Sequence, residues 1–326
     1  MDYYCTLFDI NYSPYGLTMY SSLKRHSDNF VLFILCLDDE THKTITLMHL
    51  PEVKLISLSD LENSDNSLIS AKKNRSKVEY FFTCKPYLLL HIFNLFQEVN
   101  SLTFVESDLF FYANPNLILH SIEDYSILIT PHNFSTHYSN MAIYGMYNAG
   151  WMSFKKDENS LKCLSWWRNM CYAWCYKELN ENRYGDQKYL DDFPKKFKNV
   201  HIIENLGCGV APWNLVDFDS RNQLILFHFQ SFRIKSPRIL SAFIPKIEEC
   251  NLKDFKRVVL IPYFNSLKKN FGEIEFSAVN QSDKSGKLSQ NPLFFVFLLN
   301  RVFLFRGKFL NILLCLFPMK QFQPSN

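Results

Sequence analysis

Short apolar runs of strand length, separated by segments with helical periodicity, constrain this chain more than any single residue does. DYYCTLF at 2–8, VLFILCL at 31–37 and VKLISL at 53–58 are aromatic or β-branched and read as buried strands. A helix-period stretch from about Tyr15 to Lys24 separates the first two, and another near Asp39 to Leu50 separates the second from the third. This alternation predicts an α/β fold with a mostly parallel sheet flanked by helices.

The pattern continues downstream. Val78, Phe81, Phe82, Leu88, Leu89, Ile92, Phe93 and Phe96 recur at helical spacing, so Lys77 to Gln97 is expected to lie amphipathically on the sheet, with Pro86 breaking or kinking it. A strand at Leu102 to Val105 follows, then Tyr125 to Ile129 and MYNAGWMSF at 146–154, the last interrupted by Asn148, Ala149 and Gly150. Leu161, Leu164, Trp167, Met170, Cys171 and Trp174 form the apolar stripe of a helix from about Glu158 to Tyr176. That stripe buries Trp167, which argues against sugar stacking by the Trp166–Trp167 pair. GDQKYLDD at 185–192 reads as a short helix, and Val200 to Ile203 and Leu224 to Phe229 read as late strands.

With 326 residues the chain is long enough for a substantial core, and a net charge of +3 does not imply a nucleic-acid partner. The cations are unevenly placed: Lys284, Lys287, Arg301, Arg306, Lys308 and Lys320 occur with no Asp or Glu among them or after them. Nine scattered cysteines form no C-x-x-C pair, which predicts reduced, buried thiols. MDYYCTLFDI lacks the features of a signal peptide, so a cytoplasmic location is expected. The organisation expected is one domain over 1–270, a polar linker over 271–291, and a hydrophobic, basic, helical tail over 292–326. The tail's uncharged runs are shorter than the roughly 18 residues of a spanning helix. It is therefore expected to lie on a membrane surface, peripheral on the inner face of the cytoplasmic membrane. Docking to a partner protein, or packing on the domain, is the alternative.

The chemistry concentrates where FVESDLFFYANP (104–115) leaves a strand. Glu106 and Asp108 stand two residues apart on a turn, and in open α/β sheets ligands bind beyond the carboxyl ends of strands. Two such carboxylates suit a hard divalent cation that shares further oxygens with bound phosphates. An isolated E-x-D is more often an ordinary solvated turn. A lone histidine such as His228 is likewise more often a core residue than a ligand.

Several motifs occur together in order: FDINYSPYGLTMYSSL (8–23), KPYLLL (85–90), ESDLFFYANP (106–115), YNAGWMSFKKD (147–157), GDQKYLDDFP (185–194), APWNL (211–215) and FHFQSF (227–232). On these residues, which span most of 1–235, the chain resembles glycosyltransferases of the A-type (GT-A) fold. The likeness is to bacterial nucleotide-diphospho-sugar transferases and, more distantly, to the glycogenin and lipopolysaccharide galactosyltransferase group. The resemblance implies a metal-dependent hexosyltransferase using a nucleotide-diphosphate sugar donor, taken as a UDP-sugar, and a glycan or glycolipid acceptor of the cell envelope.

In such proteins the acidic motif is usually D-x-D. Asp108 matches the metal-binding position, and Glu106 stands where Asp is usual, facing metal or ribose. His228 matches a late metal-binding histidine, and imidazole favours Mn²⁺ over Mg²⁺. Asp186 and Gln187 resemble a pair facing the donor sugar and are the expected catalytic residues; an N-cap role for Asp186 is the plainer alternative. Asn148 and Gly150 resemble a turn beside that sugar, with a plain strand bulge as the other reading. Thr6, Asp9 and Tyr12 are expected to hold the nucleoside, Lys85 the diphosphate, and Trp213 and Asn214 the acceptor side. A hydrolase using the two carboxylates is disfavoured, because groups this close seldom flank a glycosidic bond. A noncatalytic nucleotide-sugar-binding protein on the same fold remains the competing function.

Overall fold

The computed structural model of the protein describes residues 1–205, 207–219, 222–236, 239–243, 254–271, 293–298 and 301–306. The chain divides into two compact units, Met1–Phe229 and Gln230–Asn326.

In the first unit the strands are β1 (Asp2–Phe8), β2 (Phe30–Cys36), β3 (Val53–Ser57), β4 (Ser101–Val105), β5 (Leu109–Phe111), β6 (Ile127–Pro131), β7 (Tyr147–Lys155), β8 (Val200–Ile202) and β9 (Leu226–His228). Seven of them form one sheet in the order β3-β2-β1-β4-β7-β6-β8. The pairs β2/β3, β1/β2, β1/β4 and β6/β8 are parallel, as the strand–helix alternation predicts. β7 runs antiparallel to both β4 and β6, so the sheet is mixed. β5 and β9 form a separate two-stranded ribbon that the sequence reading did not anticipate as a pair.

The α-helices are α1 (Ser13–His26), α2 (Asp39–Leu47), α3 (Leu58–Ser64), α4 (Asn66–Lys72), α5 (Lys77–Leu95), α6 (Asn116–Leu119), α7 (Glu158–Ala173) and α8 (Phe193–Lys196). Side-chain caps fix several starts: Asp38 accepts from Thr41 N–H, Asp157 from Ser160 N–H, and Ser76 with Glu79 forms a reciprocal capping box at α5. α5 runs through Pro86 rather than stopping there. Proline removes one backbone bond, but Leu88, Leu89 and Ile92 beyond it are fully buried and hold the helix to the sheet. The core joins these residues to Leu102 and Phe104 of β4 and to Leu164 and Trp167 of α7. Seven free cysteines among the described residues are buried within the protein.

In the second unit, Arg233–Ser236, Ile239–Phe243, Leu293–Leu298 and Arg301–Arg306 form an antiparallel sheet in that order. A π-helical turn, Phe255–Leu260, continues into the helix Ile261–Phe271. The helical tail expected from 292 is therefore corrected over 293–306: LFFVFL and RVFLFR are strands of a hairpin, registered Leu298 to Arg301. Phe and Val favour extended backbone, and the two uncharged runs are of strand length. Residues 307–326 and the linker beyond Phe271 lie outside the described residues. No helix among the described residues is long and apolar enough to cross a membrane.

Candidate active site

The site begins with strand register. Val105 of β4 pairs with Trp151 of β7, so the next residue, Glu106, donates its N–H to Gly150 O at 2.9 Å. The chain turns, with Leu109 N–H bonded to Glu106 O, and enters β5. Leu109, Phe110 and Phe111 are all at most 1% exposed, so the return to apolar residues after two carboxylates is a second buried strand. Leu109 pairs with His228, and Phe229 N–H bonds Asp108 O at 2.8 Å. The ribbon thus sets Asp108 beside a histidine far away in sequence.

Three side chains converge there. His228 Nε2 lies 3.1 Å from Glu106 Oε2 and 3.1 Å from Asp108 Oδ1, aligned for a hydrogen bond with neither. One potential ligand atom from each of the three residues lies within 4.8 Å of the others. In an octahedral shell with bonds of about 2.1 Å, neighbouring ligands stand about 3 Å apart, so these oxygen and nitrogen donors fit a small divalent cation. Burial disfavours charge on the His228 ring, but Asp108 and Glu106 outweigh it and raise its pKa above the ordinary imidazole value. Burial also works against the charge on Glu106, yet Lys85 and His228 hold its carboxyl well below the usual range.

Lys85 projects from α5 into this cluster and is only 4% exposed as a side chain. Its Nζ lies 2.7 Å from Glu106 Oε1 and 2.9 Å from Asp186 Oδ2. Burial lowers the lysine pKa, but the paired carboxylates more than reverse this and raise it. The Asp186 pKa is raised, chiefly by burial, with Lys85 opposing. Asp186 makes no side-chain cap to the 3-10 turn Gln187–Asp192, so its carboxyl turns to Lys85 instead. Trp167 holds the Asp186 carbonyl through Nε1 at 2.9 Å. Gln187 ties its own amide to Tyr144 O and to Ala149 N–H. Two carboxylates, Glu106 and Asp186, therefore share one fixed ammonium while Asp108 faces His228, and this excess of acidic groups over lysine suits a divalent cation.

Asn148 and Gly150 lie in β7 where its register with β6 shifts, between Met152 opposite Ile129 and Asn148 opposite Thr130. The turn motif and the bulge are the same feature. Trp213 Nε1 donates to His132 O at 2.8 Å, and its ring meets the His228 ring edge-on at 5.6 Å. Asn214 is spent inside its own loop: Nδ2 donates to His132 O and Gly209 O, and Oδ1 accepts from Ala211 N–H. His132 was not singled out in the sequence, yet it stacks on Phe134 at 4.5 Å and abuts Trp213. Burial and the neighbouring His228 push its pKa down to about 3, so it is neutral. A histidine just after a strand that ends in the site was the available signal.

Thr6, Asp9 and Tyr12 stand apart from this cluster, at and beyond the carboxyl end of β1. Thr6 Oγ1 is buried without a hydrogen-bond partner, and Asp9 caps the turn Ile10–Tyr12 and pairs with Lys77 at 2.7 Å. Tyr12 is 36% exposed and packs against Tyr15. Because β1 and β4 are neighbours, both groups open from the same edge of the sheet.

A mixed, mostly parallel α/β sheet with a carboxylate–imidazole cluster at the carboxyl ends of its strands defines the class to which the chain belongs. No protein-family model matches it. The chain belongs to the family of the Bacillus subtilis (strain 168) protein YfnF, with which it shares 30% identity over 251 residues, 72% of this chain and 82% of that protein. YfnD of the same organism is 29% identical over 278 residues, covering 79% and 86%; both relatives are described as uncharacterized. Solved structures with some similarity include the galactosyltransferase LgtC in complex with donor and acceptor sugar analogues (13% identity, 79% of this chain and 95% of that one, TM-score 0.49). Another is mouse xyloside xylosyltransferase 1 (12% identity, 70% and 97%, TM-score 0.47).

Proposed function

We propose that the protein is a metal-dependent glycosyltransferase that moves a hexose from a nucleotide-diphosphate sugar, a UDP-sugar, to a hydroxyl of a cell-envelope glycan or glycolipid. The observation that carries the reading is the convergence of Glu106, Asp108 and His228, spaced as ligands and bearing excess negative charge, at the carboxyl edge of an α/β sheet. These three residues would hold Mn²⁺, or Mg²⁺, which when bound offsets the charge that develops on a departing diphosphate.

The chain's own groups complete the chemistry. Lys85 neutralises Glu106 and Asp186 and keeps both carboxylates oriented, so it acts from behind the site rather than on the diphosphate itself. Asp186 and Gln187 serve the donor sugar, where positive charge grows near the anomeric carbon. The Ala149–Gly150 backbone brings the bulge close to that sugar, and Trp213 supplies an apolar wall on the acceptor side. Asp9 and Tyr12 take the nucleoside beyond β1. The envelope acceptor and membrane contact are supported by the apolar, cation-rich stretch after Lys284, which contains no carboxylate.

Calorimetric titration with a panel of nucleotide-diphosphate sugars, with and without Mn²⁺, tests the reading. A UDP-sugar that binds only with the metal, and is turned over when an acceptor hydroxyl is supplied, is the expected result. Absence of binding to every nucleotide sugar in the presence of Mn²⁺ overturns it.

A further inference from the structure

The strap that connects β6 to β7, residues 132–146, is held at its two ends by different parts of the site. Where it leaves β6, His132 O accepts from Trp213 Nε1 and Asn214 Nδ2, and Ser135 N–H bonds Trp213 O at 3.3 Å. Its middle is the 3-10 stretch Thr136–Tyr144, which buries none of its residues and has no side-chain cap at its start. A stretch without a core of its own takes its shape from whatever satisfies its end groups, and the last carbonyls of a helical turn lack partners within it. Here those partners come from the turn Gln187–Asp192. Gln187 Nε2 reaches Tyr144 O at 3.3 Å, Lys188 Nζ reaches Ala142 O at 3.2 Å beside the Gly145 N–H already bonded there, and Asp191 Oδ1 accepts from Met146 N–H at 2.7 Å. Lys188 Nζ also lies 2.8 Å from Asp191 Oδ2, with the two side chains only 15% and 14% exposed. That ion pair closes a ring of bonds from Ala142 to Met146.

Gln187 is the residue on which this ring acts. A backbone N–H only donates and a backbone carbonyl only accepts, so the amide oxygen of Gln187 must face Ala149 N–H, 3.5 Å away, and its NH₂ must face Tyr144 O. Both contacts are long, and the second belongs to the strap. One amide hydrogen and one lone pair remain for a ligand. Gly145 fits the same arrangement: at φ +134° it turns the chain back into β7, and a Cβ there would stand 3.5 Å from Gln187 Nε2. We infer that Lys188 and Asp191 are positioning residues, a latch that fixes the strap and, through Tyr144 O, sets the orientation of the Gln187 amide toward the donor sugar. This rests on the glycosyltransferase reading above, in which Gln187 serves that sugar. The latch makes no bond to Glu106, Asp108 or His228, so it acts on turnover and not on cation binding.

Lys188→Met keeps most of the side-chain stem while removing its charge and its donor. Hydrogen exchange of the full-length, metal-free protein, read on peptides covering 136–146, is expected to be about tenfold faster in the variant, since the Gly145 and Met146 N–H groups lose their fixed acceptors. Asp191→Ala removes the acceptor of Met146 N–H and the partner of the ammonium; it should give the same pattern, and it carries the test if Lys188→Met does not fold. The kinetic arm follows UDP release, by transfer to water or to a hydroxyl, from the UDP-sugar that the calorimetric panel identifies. Lys188→Met is expected to lower kcat about tenfold, within the range that misplacing a group near the reacting atoms costs, while the donor KM and the Mn²⁺ affinity stay as in wild type. In a Gln187→Ala background the same substitution should cost nothing further, because residues that act through one another are not additive. Unchanged exchange over 136–146 overturns the latch. Faster exchange with unchanged kcat, or a loss of the same size that persists without Gln187, overturns its action on that amide. A wild-type protein that turns over no nucleotide sugar overturns the glycosyltransferase reading instead, and the exchange measurement then decides the latch by itself.

Discussion

Leu109 and His228 are register partners across a two-stranded ribbon, and that pairing sets the carboxylate of Asp108 3.1 Å from the His228 ring nitrogen. Antiparallel pairing fixes position to the residue, because a slip by one turns each side chain to the opposite face. The centre is thus built by backbone hydrogen bonds as much as by the side chains that meet there.

Asp108→Asn should abolish Mn²⁺-dependent nucleotide-sugar binding while leaving the fold intact, since the Asp108 carbonyl, not its carboxylate, bonds Phe229 N–H. The control is Asp192→Asn, whose carboxylate is 41% exposed and makes only long pairs with Lys195 and Lys196 at 3.7 and 3.8 Å. Asp191 is unsuitable, because it accepts from Met146 N–H and pairs with Lys188 beside the site. Titration calorimetry of both variants checks this; equal loss in the two removes the assignment.

Lys85→Met should destabilise the protein strongly. It leaves the buried Asp186 and the partly buried Glu106 without their cation, and breaking a buried pair such as Lys85–Asp186 costs about 3–5 kcal/mol. Added Mn²⁺ should recover part of the loss by supplying positive charge to Glu106. Thermal denaturation with and without the metal reads both effects. An unchanged melting temperature in the variant would show that Lys85 does not balance the cluster.

Much of the fold was legible because period and burial agree. The runs at 2–8, 31–37 and 53–58 became parallel strands, and the stripe through Leu164 and Trp167 became a buried helix face. The β5–β9 ribbon was not, since LFF is too short to show alternation and its partner lies far along the chain. The apolar tail was read as helix because Leu and Phe suit both states, and hairpin pairing decided otherwise over 293–306. Chemistry-bearing residue types could be picked out, but their commitments could not: Lys85, Asn148 and Asn214 are occupied by protein groups that only tertiary structure brings near.

Gly150→Ala should weaken Mn²⁺ binding by tenfold or more with a smaller loss of stability. The added methyl falls within contact distance of both the Asn148 amide and the His228 ring, neither of which is free to retreat. Gly185→Ala offers a contrast, because its backbone φ of +54° makes the cost conformational while its Cβ meets only the Phe82 ring at 3.4 Å. It should lower the melting temperature without a comparable effect on metal affinity. Parallel melts and Mn²⁺ titrations separate the two, and similar metal affinities in both variants would contradict the close packing around His228.

Glu79 should give the stability an acid-sensitive component. Its Oε2 accepts from Ser76 N–H at 2.8 Å and from the Ser76 hydroxyl, while Oε1 accepts from Lys177 N–H at 2.9 Å, joining the start of α5 to the loop that leads to Asp186. Burial alone would raise its pKa, but the bonds from Ser76 and Lys177 outweigh that and lower it. A carboxyl with a folded pKa below its unfolded value of about 4.3 binds fewer protons in the folded state, so its stabilisation is complete above that value and is lost as the pH falls through the folded pKa. The melting-temperature gap between wild type and Glu79→Gln should therefore be constant from about pH 6 to 8 and close progressively below about pH 4.3. A gap that widens on acidification would mean that the charged carboxylate is not what holds the loop to α5.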